Sequence, residues 1–279
     1  MISNLVSTGW LAQHLTTPNV LILDASWHMP ATKRNANAEF AAKHIPGARF
    51  FDLDAASDQN SSLPHMMPSA EKFATDMGAL GVRADSHVIC YDMAGLFSAA
   101  RCWWMFKSFG HGKVSVLDGG LPKWEREGRE LSNTIPRATE NNSYQAGLQV
   151  QHVRTIADVK MAIETGNAQI TDARSPTRFR GEEVEPRPGV RPGHMPGAFN
   201  VHYGTLLNSD GTLKTSDELR QVFERVGIDL NKPIITSCGS GVTAAILSLA
   251  LTELGANDHS LYDGSWTEWG SSSEAVALG

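Results

Sequence analysis

Short, nearly unbroken hydrophobic runs alternate along this chain with longer stretches in which apolar residues recur at helical spacing. The strand-like runs cover residues 20–25, 87–91, 114–118, 168–172, 233–237 and 259–262. Hydrophobic continuity of this kind is typical of strands that are covered on both faces of a parallel sheet. Between them, residues 69–80 and 215–226 carry the apolar stripe of amphipathic helices. The pattern predicts an α/β fold in which helices flank a mainly parallel sheet.

The same succession of features occurs twice along the chain. Asp24 ends one strand-like run, and Asp172 ends another 148 residues later. The segment HIPGA at 44–48 returns as HMPGA at 194–198, at an offset of 150. Landmarks that keep their order at a nearly constant offset indicate an internal duplication.

The duplication predicts two tandem domains of the same fold. We expect them at 1–130 and 152–279, joined at 131–151 by a linker that is rich in Asn, Ser, Thr and Gln. A chain of 279 residues is long for one core and sufficient for two. Asp92 stands at the repeat position of Cys238, at an offset of 146, so the first domain lacks the cysteine of the second.

Composition and charge narrow the choice of partners. With 41% hydrophobic and 19% charged residues, the chain has the composition of a soluble globular protein. A net charge of −6 and the lack of a Lys or Arg run disfavour nucleic acid and anionic membranes, so we expect a small-molecule partner. No signal peptide or membrane span is recognisable in the sequence. The three scattered cysteines are too few for a disulfide framework or a clustered metal site, and they fit a reducing cytoplasm. Nothing in the sequence implies a metal or organic cofactor.

Cys238 is the residue with the clearest chemical potential. It follows the hydrophobic run 233–237, and a helical pattern begins at 242, so the thiol lies at a strand-to-helix turn. Gly239 and Gly241 allow the backbone to curl, which points several N–H groups inward at the start of a helix. Such a cradle stabilises an anion, and the thiolate is the nucleophilic form of cysteine.

Other interpretations of this segment remain open on the residues alone. A buried structural cysteine before an ordinary Gly-rich turn fits equally well. A phosphate-binding loop is disfavoured, because the segment lacks the Lys of a P-loop and the spacing of a dinucleotide site. A cysteine phosphatase would need an anion-clamping Arg at the sixth position after the cysteine, where this chain has Ala244.

Taken together, the motifs resemble the tandem rhodanese family. They are CGSGVTA at 238–244, the paired HIPGA and HMPGA segments, and Asp-Ala-Arg at 172–174. Within that family the sequence is most similar to the 3-mercaptopyruvate sulfurtransferase branch, over nearly the whole chain. The resemblance implies a catalytically silent first domain and a second domain that carries sulfur as a persulfide on Cys238, in agreement with Asp92 at the equivalent position.

The resemblance also implies residues that bind the substrate. Arg178 and Arg187 would clamp its carboxylate and carbonyl, since a planar guanidinium can grip a carboxylate through two hydrogen bonds. On the residues alone, both arginines could equally pair with Glu182, Glu183 or Glu185 on a solvated loop. The loop residues that the resemblance assigns to substrate binding are Gly239, Gly241, Val242 and Thr243.

A proton relay is implied as well. Ser240, His65 and Asp54 match the family's proposed Ser-His-Asp relay, in which Asp orients His and His exchanges a proton through the hydroxyl. Asp52 could replace Asp54 in this role. Since His65 and Asp54 come from the first half of the sequence, the relay would need both halves. Cys90 and Cys102 are interpreted as structural.

The small, neutral Gly239 and Ser240 favour 3-mercaptopyruvate as the sulfur donor, because relatives specialised for thiosulfate carry basic residues directly after the cysteine. Thiosulfate sulfurtransfer is the nearest alternative, and a noncatalytic rhodanese module that binds a partner protein is an alternative of another class. A thiol such as that of thioredoxin, or cyanide, would accept the sulfur.

Overall fold

The computed structural model describes residues 2–136 and 143–279, and these residues form two compact units. The first unit consists of Met1–Gln59, Met67–Gln149 and Asn208–Leu213. The second consists of Asn60–Met66, Val150–Leu207 and Lys214–Gly279. Each unit therefore takes in a short segment from the other half of the sequence. Residues 137–142 of the predicted linker lie outside the described residues.

Each unit is built on a five-stranded sheet. The strands of the first sheet are β1 Leu5–Val6, β2 Val20–Asp24, β3 Arg49–Phe50, β4 His87–Tyr91 and β5 Val114–Leu117. Those of the second are β6 Val153–Arg154, β7 Gln169–Asp172, β8 Phe199–Asn200, β9 Ile234–Ser237 and β10 His259–Tyr262.

All strand pairs are parallel, and the two sheets share one topology. The order is β1-β5-β4-β2-β3 in the first sheet and β6-β10-β9-β7-β8 in the second. The predicted fold of two mainly parallel α/β domains is confirmed. All six strand-like runs are strands, and each bound lies within one residue of its prediction.

Helices separate the strands in both units. In the first unit they are α1 Thr8–His14, α2 Ala36–Ala42, α3 Leu53–Ala56, α4 Ala70–Ala79, α5 Ala99–Ser108 and α6 Gly120–Arg126. In the second they are α7 Ile156–Thr165, α8 Pro176–Arg180, α9 Ser216–Arg225, α10 Ala244–Glu253 and α11 Ser265–Ser271. Short 3₁₀ turns occur at Pro30–Thr32, Val150–His152 and Tyr203–Leu206. Among the described residues, no helix is long and apolar enough to cross a membrane.

The cores lie between sheets and helices. In the first unit, Ile89 of β4 and Leu117 of β5 pack with Trp124 of α6. In the second, Trp266 and Trp269 of α11 pack against Ile235 of β9. Full burial of an aliphatic or aromatic side chain of this kind contributes about 1.5–3 kcal/mol each. The sheet and its core therefore fix the carboxyl ends of the central strands, where ligands gather in such folds.

Candidate active site

Cys238 lies at the carboxyl end of the central strand β9, immediately after Ser237, and is only 2% exposed. Helix α10 begins at Ala244, two residues later than the apolar pattern suggests, because Val242 and Thr243 complete the turn. Gly241 has φ +77°, a left-handed conformation in which a side chain would be strained. The helix behind the loop is hydrophobic on all sides and buried from Ala244 to Leu251, which anchors the turn.

The first turn of α11 forms hydrogen bonds with the same loop. Trp266 donates its backbone N–H to the carbonyl of Cys238 at 2.9 Å. Thr267 donates to the carbonyl of Gly239 both from its backbone, at 2.9 Å, and from Oγ1, at 2.6 Å. Backbone carbonyls of the loop thus have partners on another element, so the loop is shaped by tertiary contacts as well as by its own glycines.

Ser240 and His65 are brought together. The His65 Nδ1 atom lies 3.0 Å from Ser240 Oγ, and both side chains are buried. His65 has φ +61°, which is uncommon for a residue other than Gly or Asn and is found where surrounding contacts impose it. His65 belongs to the short segment Asn60–Met66, which comes from the first half of the sequence but is part of the second unit.

The two candidate aspartates of the relay belong to the first unit. Asp52 caps α3, because its side chain accepts the backbone N–H of Ala55 at 3.0 Å. Asp54 lies within α3, and both of its carboxylate oxygens are 3.2 Å from the indole nitrogen of Trp27. Capping gives Asp52 a structural role, whereas the role of Asp54 in a relay stays a prediction.

Arg178 lies beside the cysteine loop. A Cβ atom placed on Gly239 would be 3.2 Å from Arg178 Nη2, so the guanidinium covers the position directly after Cys238. Arg178 also donates to both oxygens of Glu185, from Nη2 at 2.5 Å and from Nε at 3.2 Å. The pairing with a glutamate considered from the sequence therefore exists, but the carboxylate is buried rather than solvated.

A second arginine, which the sequence analysis did not assign to the site, completes this network. Arg174 is 2% exposed and donates to both carboxylate oxygens of Asp172, and its Nη1 donates to Glu185 Oε1 at 2.8 Å. Its guanidinium carbon also lies over the ring of Trp266, 4.4 Å from the ring centre. Burial by itself lowers the pKa of Arg174, but attraction to Asp172 and Glu185 outweighs it and raises the pKa. Glu185 therefore bridges two arginines: the buried, positively charged Arg174 and Arg178 beside the cysteine loop.

Arg187, the other predicted clamp residue, lines a cleft of about 530 Å³ in the second unit. The same cleft is lined by Pro64, which precedes His65, and by Thr267, which bonds to the cysteine loop. The cleft therefore adjoins both the cysteine loop and the segment that carries His65. Its size is suitable for a small molecule.

The other two cysteines are buried in the first unit. Cys90 of β4 and Cys102 of α5 have their Sγ atoms 3.3 Å apart, and all three cysteines of the chain are free thiols. Burial raises the pKa of Cys102 well above its usual value, which disfavours the reactive thiolate. In the part of the chain that the structure describes, no group of three or more His, Cys, Asp or Glu side chains is placed to hold a metal ion.

Sequence reasoning alone could not have found Arg174, Glu185 and Thr267 as parts of the site. Charged residues in a hydrophilic segment such as 174–187 are usually exposed, and nothing local distinguishes a buried network from a solvated loop. Only the Asp-Ala-Arg triplet after a strand gave a signal, and that signal came through the family motif.

Comparisons with known proteins agree with this geometry. The family model for the Rhodanese-like domain matches residues 7–127 and again residues 155–272. The chain is 47% identical over 266 residues to the 3-mercaptopyruvate sulfurtransferase of Escherichia coli strain K12, covering 95% of this chain and 94% of that protein. It is 44% identical to thiosulfate/3-mercaptopyruvate sulfurtransferase 1, mitochondrial, of Arabidopsis thaliana, covering 95% and 75%. The crystal structure of SseA from Escherichia coli superposes with a TM-score of 0.87 at 44% identity, covering 95% and 99%.

Proposed function

Because this chain belongs to the rhodanese family, as a sulfurtransferase with two rhodanese-like domains, we propose that it moves sulfur from 3-mercaptopyruvate to a thiol or to cyanide through a persulfide on Cys238. The observation that carries the proposal is the buried Cys238 thiol at the end of β9, with the Arg178 guanidinium against the next residue of its loop. The proposal includes the domain assignment, with a silent domain at 1–130, a linker at 131–151 and a catalytic domain at 152–279.

The reaction has two sulfur-transfer steps. In the first, the Cys238 thiolate attacks the donor sulfur, an S–S bond forms and the donor's C–S bond breaks. The electron pair of that bond passes to the terminal carbon and is delocalised onto the adjacent carbonyl oxygen as the enolate of pyruvate. Protonation of that carbon releases pyruvate. In the second step an acceptor thiolate or cyanide attacks the outer sulfur, the S–S bond breaks and the Cys238 thiolate returns.

Arg178 and Arg187 bind the carboxylate and carbonyl of the donor in this proposal. Arg178 is held by Glu185 through Nε and Nη2, so its guanidinium is oriented before a substrate arrives. Arg187 lines the adjoining cleft, which would receive the three-carbon donor. The positive charges of these two arginines also stabilise the negative charge that develops on the enolate oxygen.

Ser240 and His65 provide the proton in this proposal. The 3.0 Å contact between His65 Nδ1 and Ser240 Oγ supports transfer through the hydroxyl, with Asp54 as the orienting carboxylate. We expect His65→Ala to lower turnover about 100-fold, within the range for loss of general acid-base catalysis, while the melting temperature changes little. Unchanged kinetics in that variant would rule out the relay.

The loop chemistry supports 3-mercaptopyruvate over thiosulfate as the preferred donor. Arg178 Nη2 lies 3.2 Å from where a Cβ of residue 239 would be, so a basic side chain there would meet a like charge. A neutral loop matches the single carboxylate of mercaptopyruvate better than the dianion thiosulfate. Initial rates with the two donors at equal concentration test the preference, and a higher kcat/KM with thiosulfate would reverse it.

Intact-mass spectrometry after exposure to 3-mercaptopyruvate tests the function itself. The wild-type chain should gain the mass of one sulfur, and Cys238→Ser should gain none. Cys102→Ser is the matched control, since it also removes one thiol. A serine is expected to fit there, because Ser248 stands at the equivalent position of the second unit. A wild-type chain without added sulfur would defeat the proposal and favour a noncatalytic binding module.

Acceptor and location complete the proposal. With cyanide the outer sulfur leaves as thiocyanate. With reduced thioredoxin, one thiolate takes the outer sulfur and the second thiolate displaces it as hydrosulfide, which leaves thioredoxin with a disulfide. Comparison of the rates of thiocyanate and hydrosulfide release identifies the acceptor. The three free cysteines are consistent with the reducing cytoplasm. The name of the relative from Arabidopsis thaliana places that protein in mitochondria. Fractionation of the source cell distinguishes the two locations.

A further inference from the structure

Ser265, the first residue of α11, has an unusual backbone conformation. Its φ is +50°, although it is neither Gly nor Asn, and its side chain is fully buried. A non-glycine residue in this region is strained and persists only where its surroundings determine it. Among the described residues, the other non-glycine positions with positive φ are Lys33 and His65, and His65 belongs to the proposed relay. The contacts of the Ser265 side chain explain why the protein keeps this strained conformation.

Those contacts connect Ser265 to Cys238 and Gly241, two residues of the cysteine loop that follows β9. Its Oγ accepts the backbone N–H of Cys238 at 3.2 Å and that of Gly241 at 3.1 Å. The same hydroxyl donates to the carbonyl of Tyr262 at 2.9 Å. One donor and two acceptor positions are thus all used, so the hydroxyl cannot rotate away without losing a bond. The serine ties the first and fourth residues of the loop to one atom.

The first unit closes the equivalent loop in another way. Gly120 stands at the repeat position of Ser265, with nearly the same φ of +53°. A Cβ on Gly120 would lie 2.6 Å from the carbonyl oxygens of both Asp92 and Gly95, so no side chain fits there. Instead, the Asp92 carboxylate accepts N–H groups of its own loop. A loop whose first side chain must react with a substrate cannot be closed by that side chain and needs a support from outside.

We propose that Ser265 is a positioning residue that holds the Cys238 loop in its reactive curvature, an inference that rests on the proposed sulfur transfer. It acts through the backbone of Cys238 and Gly241 and does not touch the donor. By fixing these two N–H groups on its own oxygen, it sets the direction of Cys238 Sγ relative to Arg178 and to the Ser240 hydroxyl. Its loss leaves the nucleophile and the clamp in place but removes their alignment.

The test compares Ser265→Gly and Ser265→Ala with Ser248→Ala. Glycine adopts φ +50° without strain, so Ser265→Gly removes the hydroxyl while relieving the backbone. Ser248 is an equally buried serine of the same unit whose hydroxyl contacts Thr236 and not the site. We expect kcat about 10- to 100-fold lower in both Ser265 variants, the range for a misplaced reactive group, with the KM for 3-mercaptopyruvate little changed. Ser248→Ala should keep the wild-type kcat.

A second measurement separates this inference from the proposed function. Alkylation of Cys238 by iodoacetamide, followed by peptide mass mapping, needs no donor and reports the reactivity of the thiol directly. We expect it to be several-fold slower in both Ser265 variants. If the wild type takes up no sulfur, the proposed function fails, while the alkylation rates still test the loop. Wild-type kcat and alkylation in Ser265→Gly would overturn the positioning role, even if Ser265→Ala proved unstable.

Discussion

The loop after β4 and the loop after β9 occupy the same place in their sheets but are stabilised by different groups. In the first unit, the Asp92 carboxylate accepts the backbone N–H of Ala94 at 2.8 Å, of Phe97 at 2.7 Å and of Ala99 at 2.9 Å. In the second, α11 binds the loop from outside and the Cys238 side chain takes no such part. The first copy thus satisfies N–H groups of its loop with the carboxylate of Asp92, and the second satisfies those of Cys238 and Gly241 with the hydroxyl of Ser265.

The largest effect is expected when the second loop receives the aspartate that the first loop has at the equivalent position. Cys238→Asp places a carboxylate where it can accept N–H groups of its own loop, while removing the nucleophile. We expect pyruvate release from 3-mercaptopyruvate to fall by a factor of about 10⁴ or more, as for loss of a catalytic nucleophile. The melting temperature should stay at or above the wild-type value.

The reciprocal substitution is its control. Asp92→Cys restores a thiol at the repeat position, but Gly120 leaves that loop without the serine hydroxyl and Pro30 stands at the position of Arg178. Combined with Cys238→Asp, it should restore no sulfur uptake. Uptake by the double variant would show that a thiol in this cradle is sufficient for the reaction and that the contrast between the units is unimportant.

A smaller effect is expected from the ion pair that distinguishes Asp172 from its repeat equivalent Asp24. Asp172 is paired with the buried Arg174, which also binds Glu185, whereas Ser26 stands at the position of Arg174 in the first unit. Arg174→Met should lower the free energy of unfolding by about 3–5 kcal/mol, because it leaves buried carboxylates without their cation. Urea unfolding measures the loss, with Ser26→Ala as the control. A loss below about 1 kcal/mol, the scale of a surface pair, would show that the network is solvated.

The smallest effect concerns Asp24 itself. Its Oδ1 accepts the N–H of Ser26 at 3.0 Å, and burial raises its pKa from 3.8 to about 6, more than the hydrogen bonds from Ser26 lower it. The folded protein therefore keeps a proton that the unfolded chain has released, so stability falls as the pH rises from about 4 to 6. Asp24→Asn should stabilise the protein by up to about 3 kcal/mol above pH 6 and by little at pH 4.

Thermal or urea unfolding at pH 4, 5, 6 and 7.5 checks this dependence. Asp172→Asn is the matched variant, and it should destabilise the protein at neutral pH because it weakens the pair with Arg174. An Asp24→Asn variant that is less stable than the wild type at pH 7.5 would mean that the carboxylate is needed in its charged form.

The sequence was sufficient for the central strands and for the cysteine turn. Runs such as 233–237 are hydrophobic throughout because both faces of the sheet are covered, and this leaves a clear signal. The edge strands Leu5–Val6 and Phe199–Asn200 are two residues long, too short for any periodicity, and they were not predicted. Their register depends on the neighbouring strands rather than on their own residues.

The sequence predicts less of the site than of the strands, because most contacts in the site join residues that lie far apart in the chain. Cys238 was found because Gly239 and Gly241 mark a curled backbone at the start of a helix. Ser265 lies 27 residues further on in an unremarkable Gly-Ser-Trp segment, and only the fold brings its hydroxyl to the loop. The contact of His65 with Ser240 spans 175 residues and was expected only through the family resemblance. Contacts of this range have no local pattern that could predict them.

The exchange of short segments between the two units has a consequence for how the gene can be cut. Asn60–Met66, which carries His65, is encoded in the first half, although it is part of the second unit. Asn208–Leu213 is encoded in the second half, although it is part of the first. A chain expressed from residue 152 onward would keep Cys238, Ser240 and Ser265 but would lack the histidine, and the reverse truncation would lack the loop at 208–213. Complementation by co-expressed halves, rather than either half alone, is the way to dissect this protein.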